Sequence, residues 1–117
     1  MLEVQAKAMK NRHILAVDGG GTRSRVALAK CDGTVLSQIE GGFANLTSDF
    51  ETSRINIETA IRDAYEAAQV PVDSSKRDVS VFGIAGANFG DFAARLASAF
   101  DFATIHVVSD REIAIAG

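Results

Sequence analysis

Cysteine is nearly missing from this chain: its 117 residues hold a single one, Cys31. One thiol closes no internal disulfide, which excludes a disulfide-stapled secreted scaffold. With only two histidines beside it, no zinc-ligand spacing arises either. Proline is just as scarce, and its one copy, Pro71, falls where a helical pattern stops. No apolar run approaches the ~20 residues of a membrane helix. The opening MLEVQAKAMKNRH lacks the apolar stretch of a signal peptide. These absences point to a reducing, cytoplasmic setting without a membrane partner. An excess of positive charge is lacking as well. Twelve basic against fifteen acidic side chains give −3, with no basic block, so nucleic acid is not the expected partner.

What is present has globular proportions: 47% hydrophobic and 23% charged residues in a chain of one-domain length. Such a chain buries roughly two thirds of the surface it exposes when unfolded, enough for a core.

Residues 1–12 read as a loose or short helical arm, and 13–117 as the domain. His13–Asp18 (HILAVD) is a short apolar strand ending in an acid, followed by Gly19, Gly20, Gly21 and Thr22. Arg23–Cys31 and Thr34–Glu40 read as two further strands. Asp32-Gly33 between them is a hairpin signal, with positive φ expected at both positions. Ser48-x-x-Glu51 has the capping-box pattern, and Ile57, Ile61, Ala64, Tyr65 and Ala68 continue it at helical spacing. Val70–Asp78 is a polar connection. Val79–Ala85 (VSVFGIA) reads as a strand buried on both faces. After Gly86-Ala87-Asn88, the residues Phe89, Phe92, Ala93, Leu96 and Phe100 mark one face of a second helix. Ala103–Ser109 is a fifth strand. Ser109-x-x-Glu112 opens a third helix at about Asp110, and that helix is scarcely begun at Gly117. The chain therefore reads as the front part of a longer protein. His106, mid-strand, reads as a packed histidine, and Cys31 as a small buried residue.

The order β-β-β-α-β-α-β-α, with right-handed crossovers, predicts an α/β fold: a five-stranded mixed sheet in the order 3-2-1-4-5. The first, fourth and fifth strands run parallel. Their carboxyl ends share the edge where open α/β sheets bind ligands. On that edge stand Asp18 with Gly19–Thr22, then Gly86–Asn88, then Asp110. Successive glycine N–H groups can hold a phosphate, and Thr22 adds a hydroxyl. Asp18 would repel phosphate, so its partner is expected to be Mg²⁺, which takes carboxylate and water beside substrate phosphates. A metal–nucleotide site is the result. No Gly-Lys-Ser/Thr ending is present, which excludes a Walker loop. Only two of three fingerprint glycines match a dinucleotide motif, with too few residues for its helix. Bland alternatives stand beside each residue: Asp110 as a helix-start acid, Asn45 as a turn residue, Arg23 and Arg25 as a solvated strand face.

The strings ILAVDGGGTRSRVAL and DGTVL resemble the opening phosphate motif of the sugar kinase/actin/heat-shock-protein superfamily. Within it the chain is most similar to the BadF/BadG/BcrA/BcrD-type ATPase family, which contains N-acetylglucosamine kinases. GGFANLTSD resembles the loop after the third strand there, with Gly-x-x-Asn at Gly42 to Asn45. FGIAGAN and VVSDREIAIAG resemble the family's fourth-strand turn and fifth-strand aspartate, so the resemblance covers about residues 13 to 117. It implies two ribonuclease H-like domains with ATP between them, this chain supplying only the N-terminal one. Gly19, Gly20, Gly21 and Thr22 would contact the phosphates, and Asp18 would act on Mg²⁺. Asp110 would be the base facing a sugar hydroxyl. Asn45 and Gly86, Ala87 and Asn88 would line the sugar pocket. The rest of the ATP site would lie on the absent C-terminal domain, leaving this piece inactive alone, and a homodimer of the full-length protein is left open. The same resemblance admits an ATPase that activates a 2-hydroxyacyl-CoA dehydratase or benzoyl-CoA reductase, and the scaffold also admits a non-catalytic nucleotide-binding domain.

Overall fold

The structure, a computed structural model, describes residues 12–109. The expected arm up to residue 11 and the third helix from Asp110 lie outside the described residues. Strands β1 (His13–Gly19), β2 (Ser24–Lys30) and β3 (Val35–Gly41) come first. They are followed by helix α1 (Phe50–Ala67), a short 3-10 helix (Val72–Arg77), β4 (Val79–Ile84), helix α2 (Phe92–Ala97) and β5 (Thr104–Ser109). The five strands form one sheet in the order β3-β2-β1-β4-β5. The β1, β2 and β3 pairings are antiparallel, while β4 runs parallel to both β1 and β5. This is the α/β arrangement that the meander and two crossovers require.

Alternation along each strand assigns the two faces. In β1, Leu15, Val17 and Gly19 are buried, while Ile14, Ala16 and Asp18 are exposed. Both helices lie on the buried side. The Phe50 ring of α1 stacks on Phe92 of α2 with centroids 5.8 Å apart. Ile57, Ile61, Ala64 and Leu96 close over Leu15, Val17, Val26, Leu28, Phe82 and Ile84. The other face is left open by the described elements, so Val79 and Val81 are only half-buried. The expected burial of β4 on both faces therefore holds for one face.

Local chemistry differs from expectation at several points. The N-cap of α1 is Asp49, not Ser48. Its carboxylate accepts from the Thr52 N–H at 3.0 Å and the Thr52 hydroxyl at 2.8 Å. These bonds hold the Asp49 pKa below the ordinary carboxylate value. With Asp49 as N-cap, Glu51 stands at the second helical position and not at the third that a capping box needs, and its carboxylate pairs with Arg54 at 3.2 Å. In the β2–β3 hairpin only Gly33 has positive φ, at 94°. The Gly33 N–H donates to the Lys30 carbonyl and Asp32 Oδ1 accepts from the Thr34 N–H, both at 2.9 Å. That is a three-residue loop, which asks for one left-handed residue instead of two. Helix α2 is shorter than its apolar spacing suggests, because Gly90 at φ 52° breaks the chain after Phe89. Phe89 is exposed, while Phe100 lies past the helix end and packs edge-on against Phe82 at 5.3 Å. Cys31 is exposed at the hairpin, its thiol 3.4 Å from the Arg12 carbonyl. His106 is exposed too, since it sits on the open face in the row of Val81 and Ala16.

At the amino end of the parallel strands, Asp78 is fully buried. Its oxygens accept from the His13 N–H at 2.7 Å and the Tyr65 hydroxyl at 2.6 Å. The sequence reading placed this residue in a polar connection.

Candidate functional site

The carboxyl end of β1 turns sharply into β2. The Gly20 N–H donates to the Arg23 carbonyl at 2.9 Å, and the Gly20 carbonyl accepts from the Ala44 N–H at 3.0 Å. Gly20 therefore has its main chain engaged by the protein itself. Gly19 is needed for close approach: a Cβ there would stand 2.8 Å from both Ala44 Cβ and Ile84 Cδ1. Gly21 and Thr22 are exposed, and nothing lies within 4 Å of where a Gly21 Cβ would be. Among the described residues, their N–H groups and the Thr22 hydroxyl have no hydrogen-bond partner. Of the four turn residues, these two hold donors free for a ligand.

The loop after β3 is stitched across this edge. The Leu46 N–H donates to the Ala85 carbonyl, and the Ala85 N–H to the Gly19 carbonyl, each at 2.9 Å. Asn45 forms an isolated parallel bridge with Ala85. The sequence-predicted Gly20, Asn45 and Gly86 positions are thus brought together. Asn45 Oδ1 accepts from the Thr47 N–H at 3.1 Å and the Thr47 hydroxyl at 2.8 Å. The turn reading of Asn45 is therefore correct as far as its oxygen is concerned. Gly86 has φ 87°, and a Cβ there would lie 2.9 Å from the Thr47 nitrogen. Only glycine fits so close to the Asn45–Thr47 turn. Ala87 is part of the core at 6% exposure, so its side chain faces away from any ligand. Asn88 is exposed.

Asp18 projects on the open face, in one cross-strand row with Arg25 and Glu40. Below it a depression of about 380 Å³ is floored by Ala16 and Ala27. Arg23, beside the turn, stands 3.8 Å from Glu40, both well exposed. Arg23 and Arg25 thus occupy the solvated strand face that their positions suggested. Among the described residues no group of three His, Cys, Asp or Glu could cage a metal. The exposed Asp18 carboxylate, on the strand that leads into the turn, is a donor of the kind Mg²⁺ takes, because that ion keeps several waters and needs few protein ligands. Asp110 lies outside the described residues. β5 ends at Ser109 on the edge shared with β1, one strand beyond β4.

No protein-family model and no curated protein matches the chain. A solved structure does: the "Putative N-acetylglucosamine Kinase" of Chromobacterium violaceum, at TM-score 0.75 and 27% identity. The match covers 84% of this chain and 35% of that one. The chain shares this kinase-like fold. It spans about a third of that protein's length.

The sequence reading passed over Thr47. Its only signal was an Asn-x-Thr spacing in a loop, which reads equally well as a turn without function. No described helix is long and apolar enough to cross a membrane.

Proposed function

We propose that the chain is the N-terminal, ribonuclease H-like domain of an ATP-dependent sugar kinase of the BadF/BadG/BcrA/BcrD-type ATPase family. It would transfer the γ-phosphoryl group to a hydroxyl of N-acetylglucosamine or a related hexosamine. One observation carries this reading. Its support is a carboxyl edge on which Ala85 bonds both to Gly19, where the glycine turn begins, and to the Asn45 loop, on a fold shared with a sugar-kinase neighbour.

Phosphoryl transfer asks the protein for positioning and charge neutralisation more than for covalent help. The Gly21 and Thr22 N–H groups and the Thr22 hydroxyl would grip phosphate oxygens, with Gly19 and Gly20 shaping the turn beneath them. Asp18 would hold Mg²⁺ through water, and the ion's charge would offset that of the phosphates. Asn45, Gly86 and Asn88 would border the acceptor, with Ala87 anchoring their turn in the core. Asp110 would orient the acceptor hydroxyl and take its proton as the new O–P bond forms and the bond to ADP breaks.

The test is a titration of the ¹⁵N-labelled chain. Mg²⁺-ATP is expected to move the Gly21 and Thr22 amide signals, and N-acetylglucosamine those of Asn45 and Gly86. A sugar that moves neither Asn45 nor Gly86 would sink the kinase reading. Nucleotide binding without sugar binding would favour the nucleotide-binding module instead.

A further inference from the structure

Asn45 is held at more points than any turn needs. Its Oδ1 takes both Thr47 donors. Its backbone carbonyl accepts from the Asp49 N–H at 3.2 Å, and the Ser53 hydroxyl, which donates to the Asp49 carbonyl at 2.7 Å, lies 3.0 Å from it. Ser53 is fully buried under the first turn of α1. Main chain and side chain of Asn45 are thus clamped independently, and the clamp on the side chain has a polarity. A backbone N–H can only donate, so the carboxamide oxygen must face Thr47. The group is planar, which puts the nitrogen on the opposite side. Among the described residues that nitrogen has no hydrogen-bond partner, and the side chain is half-exposed. An unlocked carboxamide can flip and show a ligand either end. This one can show only its N–H donors.

We propose that Thr47 is a positioning residue: it locks the Asn45 carboxamide so that the acceptor pocket presents a donor, and so recognises a hydroxyl or carbonyl oxygen of the substrate. The inference rests on the sugar-kinase reading for the identity of that substrate. The lock itself follows from the Thr47 geometry. Gly86 belongs to the same device, since any side chain there would push into the Thr47 nitrogen and the Asn45 oxygen.

The experiment uses the ¹⁵N-labelled chain and N-acetylglucosamine as the probe, with two readouts on the same spectra. The first is the order parameter of the Asn45 side-chain NH₂. Thr47→Val keeps the backbone N–H that sets the polarity and removes the shorter hydroxyl bond; it is expected to lower the order parameter, and Thr47→Ser, which keeps the hydroxyl, to hold it at the wild-type value. The second is the sugar dissociation constant. Thr47→Val is expected to raise it about 3- to 10-fold, the factor one hydrogen bond supplies. In an Asn45→Ala background the same change should have no further effect. Asn45→Asp keeps both bonds from Thr47 but replaces the donor with an acceptor. It should lose at least about tenfold in sugar affinity with an unchanged melting temperature.

An Asn45 NH₂ equally ordered in Thr47→Val overturns Thr47 as the positioning side chain, whatever the sugar does. Full sugar affinity in Asn45→Asp overturns donor recognition and leaves Asn45 as a turn residue. If no hexosamine moves the wild-type Asn45 signal while Thr47→Val still frees it, the kinase reading fails and the lock stands.

Discussion

The Tyr65 hydroxyl donates to Asp78 Oδ2 at 2.6 Å, with both residues fully buried, tying the last turns of α1 to the residue just before β4. The other Asp78 oxygen takes the first N–H of β1. One carboxylate thus joins three elements at the edge opposite the candidate site. Removing one donor leaves a buried oxygen unsatisfied, so Tyr65→Phe should lower stability by about 1–3 kcal/mol. Urea unfolding monitored by circular dichroism checks this.

The same pair gives a pH dependence. Burial, reinforced by the Asp78 carboxylate, pushes the Tyr65 pKa well above the ordinary phenol value. A folded-state pKa above the unfolded one adds stability that is complete below the unfolded value, about 10. That stability is lost as pH rises beyond it. Stability should therefore fall progressively above pH ~10, and Tyr65→Phe should flatten this alkaline slope.

Two neighbouring glycines should respond differently to alanine. Gly19→Ala drives a Cβ into Ala44 and Ile84 and should cost about 1–3 kcal/mol. Gly21→Ala meets open space without positive φ and should stay within about 0.5 kcal/mol of wild type. Thermal melts of the two variants give the contrast. Equal losses would mean that the turn is strained throughout.

The start of α1 separates two capping schemes. Asp49→Ala removes both bonds to Thr52 and should cost about 1 kcal/mol. Ser48→Ala should change stability by less than about 0.5 kcal/mol. The reverse order would restore the capping box read from the sequence.

If the full-length protein is the proposed N-acetylglucosamine kinase, Asp110→Asn in it keeps shape but cannot take a proton. Turnover should fall about 10²–10⁴-fold, with the melting temperature nearly unchanged. Activity above about a tenth of wild type would leave Asp110 as a helix-start residue only.

Strand order and the shared edge were legible in the sequence because they follow from period and connectivity. Leu15 and Val17 alternate with Ala16 and Asp18, Ile57 and Ile61 recur at helical spacing, and each crossover has one hand. Features set by competition between neighbours were not legible. Ser48-x-x-Glu51 reads as a capping box until Asp49 takes the N-cap and Glu51 pairs with Arg54. Asp78 reads as linker until His13 and Tyr65, far away in sequence, supply its donors. His106 sits in a strand like any other, and its exposure depends on what covers that face. At the site, composition pointed to Gly20 as a phosphate donor, but its N–H serves Arg23. The Asn45–Gly86 juxtaposition needed both the β4 register and the bridge to Ala85.

The Asn45–Ala85 bridge also sets an order of events. The β1–β3 meander is built from contacts close in sequence and can form early. Leu46 and Asn45 find their partners only after the chain has passed through all of α1 and β4 has docked beside β1. A newly made chain is therefore expected to close its glycine turn, held between Gly20 and Arg23, before its Asn45 loop.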